Sequence, residues 1–322
     1  DVLVTMLTLP AVVIWPDYRA IFLACLGWPL IRCILSHTTS QRPYRLSMNP
    51  TLVGKLLKFS WPLMLSGLLL FLVFHGDRAV VGHYFSMHEL GFFSLVLTAF
   101  LLPSQLLHKV YDSLFLSSLS KAFRHRDRFE SQQFLIWHSL FALSTAYVLF
   151  SILLGPWLFI FLFGEKYEPG LDLLPWIVLM VSVRILRIAT SMLALATAKP
   201  YCELYANLVR ASALPIAIIG LAMGYPIECV PIAGIIGEVL ALFVGLVSLN
   251  LPVSHAVKPP AVSGMIMLWL TSMVFITAEI VIDINPPYVS ATLAAVLLIT
   301  MILFFIKQYP KFTIERGFQN DV

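Results

Sequence analysis

The chain has 322 residues, of which 59 % are hydrophobic and only 12 % charged, with a mean hydropathy of +0.89. Soluble globules carry about 25 % charged residues, so this composition excludes a soluble domain and specifies an all-α polytopic membrane protein. The net charge of +4 does not point to nucleic acid, because the basic residues are dispersed in short loops between apolar runs rather than gathered into one patch.

In chain order, the sequence opens on Asp1 and a run, VLVTMLTLPAVVIW, with neither a basic n-region nor a small-residue cleavage site. It reads as the interior of a longer protein rather than a signal peptide. Residues 1–36 hold two apolar segments, the first too short to span a bilayer. Residues 37–58 form a basic polar linker that ends in an amphipathic run, 50–58, suited to lying on a membrane surface. Six spans follow within 59–251. The third span of the chain, 59 to about 84, carries His75, Asp77 and Arg78, and the fourth, 90 to about 119, carries Lys109 and Asp112. The fifth runs from 134 to about 163, with Gly155-Pro156 expected to kink or divide it. The sixth, 172–197, carries Arg184 and Arg187; the seventh, 203–223, carries Arg210; the eighth, 230–251, carries Glu238. An extra pair, 261–282 and 288–306, lies within 252–306, and 307–322 is a short polar tail. About ten transmembrane helices are expected in all.

The charge distribution agrees with this segmentation. Arg42, Arg45, Lys55, Lys58, Lys121, Arg124, Arg126, Arg128, Lys199, Lys258 and the basic residues of the tail fall on one side, against Arg19 and Lys166, with Arg78 in the outer half of its span, on the other. By the positive-inside rule the basic side, and with it the C-terminus, is cytoplasmic. Four cysteines, at 25, 33, 202 and 229, show no CxxC and no spacing with histidine that would hold a metal. No cofactor or metal is expected. Short outer loops, and the absence of any HExxH or GxSxG arrangement, give catalysis little support.

The informative residues are the charged ones inside spans. Arg184 stands near the middle of its span, roughly 18 to 20 Å of helix from either end, too deep for its side chain to snorkel to a headgroup layer. Arg187 follows at i+3 on nearly the same face, and each arginine costs about 2.5 to 3.5 kcal/mol at mid-membrane on insertion scales. Two readings account for them: carboxylates on neighbouring helices neutralise both, or they form a cationic face on a substrate pathway. The second is preferred. Lys109 and Arg210 fall at depths similar to Arg187, and arginine's planar fork suits a phosphate. Lys109 with Asp112 reads as an intrahelical pair. Asp77 with Arg78 reads either as an ion pair that fixes packing or as a coupling or gating element. Glu238, near mid-membrane, either neutralises Arg184 or Arg210 or exchanges a proton. Ser66, Gly67, Gly234 and Gly237 are expected to let helices approach closely.

Two stretches carry a family likeness. KFSWPLMLSGLLLFLVFHGDRAVVGHYFSMHELGFFSL, residues 58–95, resembles the span that opens a lobe in the multidrug/oligosaccharidyl-lipid/polysaccharide exporter superfamily. The matching features are Pro62, the buried Asp77, a glycine before the turn, and the Leu90-Gly91-Phe92 start of the next helix. FLFGEKYEPGLDLLPWIVLM, residues 161–180, is similar to a turn of the polysaccharide-transport branch. The resemblance implies two six-helix lobes around a cavity. Here 59–251 is one complete lobe, 1–36 the last two helices of a preceding lobe, and 252–306 the extra C-terminal helix pair. It also implies a flippase of the bacterial inner membrane that moves a lipid-linked oligosaccharide such as an O-antigen unit. Membrane lipids and the polysaccharide polymerase and ligase machinery would be its partners. On this likeness Arg184, Arg187, Arg210 and Lys109 would bind substrate, while the reading of the buried charges themselves makes Asp77, Arg78 and Glu238 the candidates for coupling or gating. A drug exporter of the same superfamily is the first alternative, disfavoured because acids would dominate its cavity. A membrane polymerase or ligase is the second.

Overall fold

The computed structural model describes residues 49–249, together with 27, 31, 33–38 and 269. The spans expected before residue 49 and after 251, the tail, and hence the total of ten helices lie outside the described residues. The chain divides into two compact units, Asp1–Leu57 and Lys58–Val322. In the first, residues 27, 31 and 33–38 are helical. Within the second lies the helical bundle that carries the charged spans.

Helix α1, Pro50–Tyr84, is 35 residues long. Asn49 starts it: its side-chain oxygen accepts from the Thr51 amide at 3.1 Å, and Pro50 occupies the first helical position, where a missing N–H costs nothing. The run at 50–58, expected as a separate surface segment, is instead continuous with the span. At about 1.5 Å per residue the helix is roughly 52 Å long, which exceeds a hydrocarbon layer of about 30 Å, so an amphipathic end has room to project beyond the layer without a break.

Ser86 begins α2, Met87–Tyr111, through a reciprocal capping box with Glu89. A π-helical turn, Asp112–Leu116, leads to α3, Ser117–Ala122. The extra residue per turn re-phases the helix so that Leu119 and Ala122 are buried. Helix α4, Arg126–Leu153, and α5, Gly155–Phe163, are divided at Leu154, where Pro156 can neither donate to the ladder nor clear the preceding turn. A 3-10 segment, Glu165–Leu173, follows Gly164, whose φ of 89° is a conformation only glycine adopts without strain.

Helix α6, Leu174–Ala196, holds the two expected arginines. Helix α7, Pro200–Ala211, and α8, Ala213–Ala222, split the expected seventh span at Ser212. Pro215 deprives the Ala211 carbonyl of its helical donor, and the Ser212 hydroxyl donates back to the Val209 carbonyl at 2.6 Å. Helix α9, Cys229–Leu249, closes the described bundle.

Among the described residues the structure is all-helical, with six helical segments long and apolar enough to cross a membrane. They are not equivalent. Of the most apolar window in the segment containing α6, 94 % is buried, against 17 % for α1. Helix α6 packs on α2, α4, α7 and α9, and α9 in turn packs on α7. Protein, rather than lipid, surrounds the helix that bears Arg184 and Arg187.

Candidate functional site: one carboxylate shared by three buried arginines

Three helices deliver the charged side chains. Arg184 and Arg187, one turn apart, share a face of α6. Glu203, Asn207 and Arg210, spaced i, i+4 and i+7, share a face of α7. Glu238 comes from α9, and Gly237 beside it permits the approach. A Cβ at Gly237 would stand 2.9 Å from the Arg210 carbonyl oxygen and 2.9 Å from the Ala213 Cβ, closer than real contacts allow. Gly237 therefore lets α9 lie against the break between α7 and α8, with Glu238 next to Arg210.

The Glu238 carboxylate receives all three arginines. Its Oε1 lies 2.6 Å from Arg184 Nε and 2.8 Å from Arg210 Nε, and its Oε2 lies 3.2 Å from Arg187 Nε. Arg187 also reaches Glu203 Oε1 at 3.4 Å and donates to Asn207 Oδ1 at 3.1 Å. Asn207, fully buried, donates in turn to Ser66 Oγ on α1 at 2.7 Å and to Glu203 Oε1 at 2.9 Å. The Phe74 ring of α1 lies 5.2 Å from the guanidinium carbon of Arg184 and equally far from that of Arg210, an additional cation–π contact for each. Arg184, Arg187, Arg210, Glu203 and Glu238 are all buried.

This geometry corrects the expectation of an open cationic face. The arginines meet a carboxylate on a neighbouring helix, as the alternative reading had it, and Arg210 joins them. Compensation is nonetheless incomplete. Among the described residues Arg184 Nη1, Arg187 Nε, Arg210 Nε and Nη2 and Glu238 Oε2 are buried without a hydrogen bond, although Arg187 Nε, Arg210 Nε and Glu238 Oε2 lie in ion-pair contact. Three guanidiniums converge on one carboxylate, so N–H donors outnumber acceptors at the centre of the bundle.

Other expected residues fall elsewhere. Lys109 is exposed on α2 and does not join the cluster. Asp112 pairs with His108 at 3.5 Å, not with Lys109. Arg78 does not close on Asp77: its Nη2 donates to Thr98 Oγ1 of α2 at 2.7 Å. Asp77 is half-buried on α1, within electrostatic range of Arg184 and Arg210 but, among the described residues, without a direct ion pair. Gly67 is exposed, and a Cβ there would meet nothing within 4 Å, so it provides no close approach in the described bundle. Glu203 and Asn207 are the members of the cluster that sequence reasoning missed. Their spacing with Arg210, a polar stripe of helical period inside an apolar span, was the available signal. Among the described residues no group of histidine, cysteine and carboxylate side chains is arranged to hold a metal ion.

Residues 1–171, more than half of the chain, match the family model described as polysaccharide biosynthesis protein. The chain belongs to that family. It is thus a multi-pass membrane protein of polysaccharide biosynthesis. The matched stretch contains Asp77, Arg78 and Lys109, whereas the arginine–glutamate cluster of α6, α7 and α9 lies beyond it. No curated protein and no solved structure matches the chain.

Proposed function

We propose that this family member is a transporter rather than an enzyme. In this reading it moves a polyprenyl-pyrophosphate-linked oligosaccharide, an O-antigen unit or a similar repeat, across the bacterial inner membrane by alternating access. The observation that carries the proposal is the donor excess around Glu238, placed deep inside the helical bundle of a polysaccharide biosynthesis protein. A pyrophosphate offers several anionic oxygens to guanidinium forks, where Glu238 offers two. In the described arrangement Glu238 holds the three arginines together. Substrate binding requires α9 to yield at Gly237, so that the diphosphate takes over the contacts that Glu238 and the unpaired donors leave available. Arg184, Arg187 and Arg210 are the proposed binding groups. Lys109 is a peripheral cation, and Asp77 and Arg78 beside the cluster are coupling or gating elements.

A second reading has its own observation. All three arginines are buried and paired, so the cluster is also what a static polar core looks like, with Glu238 neutralising cations that fix the packing of α6, α7 and α9. Arg184→Ala, expressed in a strain whose surface polysaccharide depends on this protein, separates the two. Transport predicts normal membrane abundance with surface polysaccharide lost. Normal polysaccharide refutes the role given to Arg184, and disappearance of the protein from the membrane assigns the cluster to structure. Unchanged glycan with altered drug resistance would instead favour a drug exporter. Incorporation of labelled sugar into polymer by the purified protein would favour a polymerase.

A further inference from the structure

The three arginines of the interior cluster meet carboxylates, whereas a group of cations at one end of the bundle does not. Where α3 turns into α4, a cavity of about 760 Å³ is lined by Lys121, Arg124, His125 and Arg128, with Gln132 and the serines 118 and 120 completing its polar wall. Among the described residues no carboxylate lines it. Asp127 and Glu130, in the first turns of α4, lie outside its wall. Among the described residues, none of Lys121, Arg124 and Arg128 makes an ion pair. The positive-inside rule accounts for basic residues on this side, but it would be met equally well by charges scattered over a convex loop. Here they converge on a concavity of the size that small ligands occupy.

Three further features fit an anion. Helix α4 has no side-chain cap at His125, and its ladder begins with the Phe129 amide donating to the His125 carbonyl. Among the described residues no side chain is seen to accept from the Asp127 or Arg128 amide, at the positive end of a 28-residue helix. Gln132 has a buried side-chain amide atom with no partner. Turned over, that amide presents N–H donors where its oxygen now stands. The cavity also lies where two candidate spans end, Met87–Ala122 and Asp127–Leu153, which is headgroup level for helices that cross a bilayer. Phe123, 47 % exposed between Lys121 and Arg124, supplies apolar surface for an acyl chain beside the charges.

We propose that this cavity binds the phosphate of an anionic lipid headgroup, held by Lys121, Arg124 and Arg128. Such a site acts on lipid at the membrane surface whatever load the interior cluster handles.

The test is lipid retention by the full-length, delipidated protein, followed by native mass spectrometry as phosphatidylglycerol or phosphatidylcholine is added. The expected result is retention of phosphatidylglycerol over the zwitterionic lipid. Arg124→Gln with Arg128→Gln should weaken phosphatidylglycerol binding about thirtyfold, the equivalent of about 1 kcal/mol for each basic residue. Both side chains are exposed, so the double variant should fold as the parent does. Lys166→Gln, a cationic position outside the cavity wall, should change nothing. Inorganic pyrophosphate separates the sources of the phosphate. Displacement of phosphatidylglycerol by it means that the phosphate group alone is recognised, so diphosphate-bearing lipids and free phosphates qualify. Failure to displace restricts the site to membrane phospholipid. Equal retention of both lipids, undiminished binding by the double variant, or equal weakening by Lys166→Gln would each overturn the site.

Discussion

Replacing Glu238 by glutamine keeps the volume and removes the one charge on which three arginines converge. The structure indicates how unequally they would suffer. Arg187 retains Glu203 at 3.4 Å and Asn207 at 3.1 Å. Arg184 and Arg210 lose their only direct charged partner among the described residues and keep the Phe74 ring, 5.2 Å from each. Asp77 stands within range of both without touching either. Removing one member of a buried pair costs about 3–5 kcal/mol, because the remaining charge is left uncompensated. Two stranded guanidiniums place Glu238→Gln at or above the lower end of that range, a large fraction of the roughly 5–15 kcal/mol that holds a typical domain together. Reversible unfolding in mixed detergent micelles, titrated with a denaturing detergent, should therefore show Glu238→Gln destabilised by about 3 kcal/mol or more. Glu238→Asp, which keeps the charge on a shorter stem, should lose less. Unfolding of Glu238→Gln at the wild-type midpoint would show that Glu238 does not hold the cluster, and the polar core described above would have to be abandoned.

Gly237→Ala should destabilise the bundle by about 1–3 kcal/mol in the same unfolding measurement, since its Cβ meets backbone that cannot step aside, the Arg210 carbonyl oxygen at 2.9 Å. Gly67→Ala, with nothing within 4 Å, should be neutral or up to about 1 kcal/mol stabilising. Asn207→Leu should cost about 2–3 kcal/mol by stranding the Arg187 donor and the Ser66 hydroxyl, and the loss should shrink when Ser66→Ala is added, because one stranded partner is then gone. Lys109→Gln should leave stability unchanged, since the side chain is exposed and makes no ion pair among the described residues.

Length and hydropathy were enough to find the six described spans, and the two proline-linked divisions show how far local chemistry could be read. The break at Leu154 follows from Gly155-Pro156. The break at Ser212 rests on Pro215 and was overlooked inside an otherwise regular apolar run. What surrounds a span is harder to read. The segments containing α1 and α6 have the same mean hydropathy, 1.9, yet 17 % of one window and 94 % of the other is buried. Lipid tails and packed side chains are equally apolar, so composition does not tell one environment from the other. For that reason Arg184 could be placed at depth, and Glu238 named as a candidate partner, while the choice between open vestibule and closed cluster depended on which helix stood at the centre. In the sequence Glu203 reads as the boundary of its span, whereas in the structure it forms a stripe with Asn207 and Arg210. The Arg78–Thr98 and His108–Asp112 pairs likewise depend on rotamer and register, whereas adjacency in sequence had suggested Asp77 for Arg78 and i+3 spacing had suggested Lys109 for Asp112.

The most direct measurement of the proposed function is translocation in proteoliposomes. A labelled polyprenyl-pyrophosphate oligosaccharide is equilibrated between leaflets, and the fraction open to an impermeant glycosidase added outside is followed with time. In protein-free liposomes about half the label, the outer-leaflet share, should be cleaved and the rest protected. With the wild-type protein cleavage should run toward completion, and with Arg184→Ala it should stop near the protein-free level. Cleavage that halts at the protein-free level for correctly folded wild-type protein, or that proceeds equally with Arg184→Ala, would contradict transport through the arginine cluster.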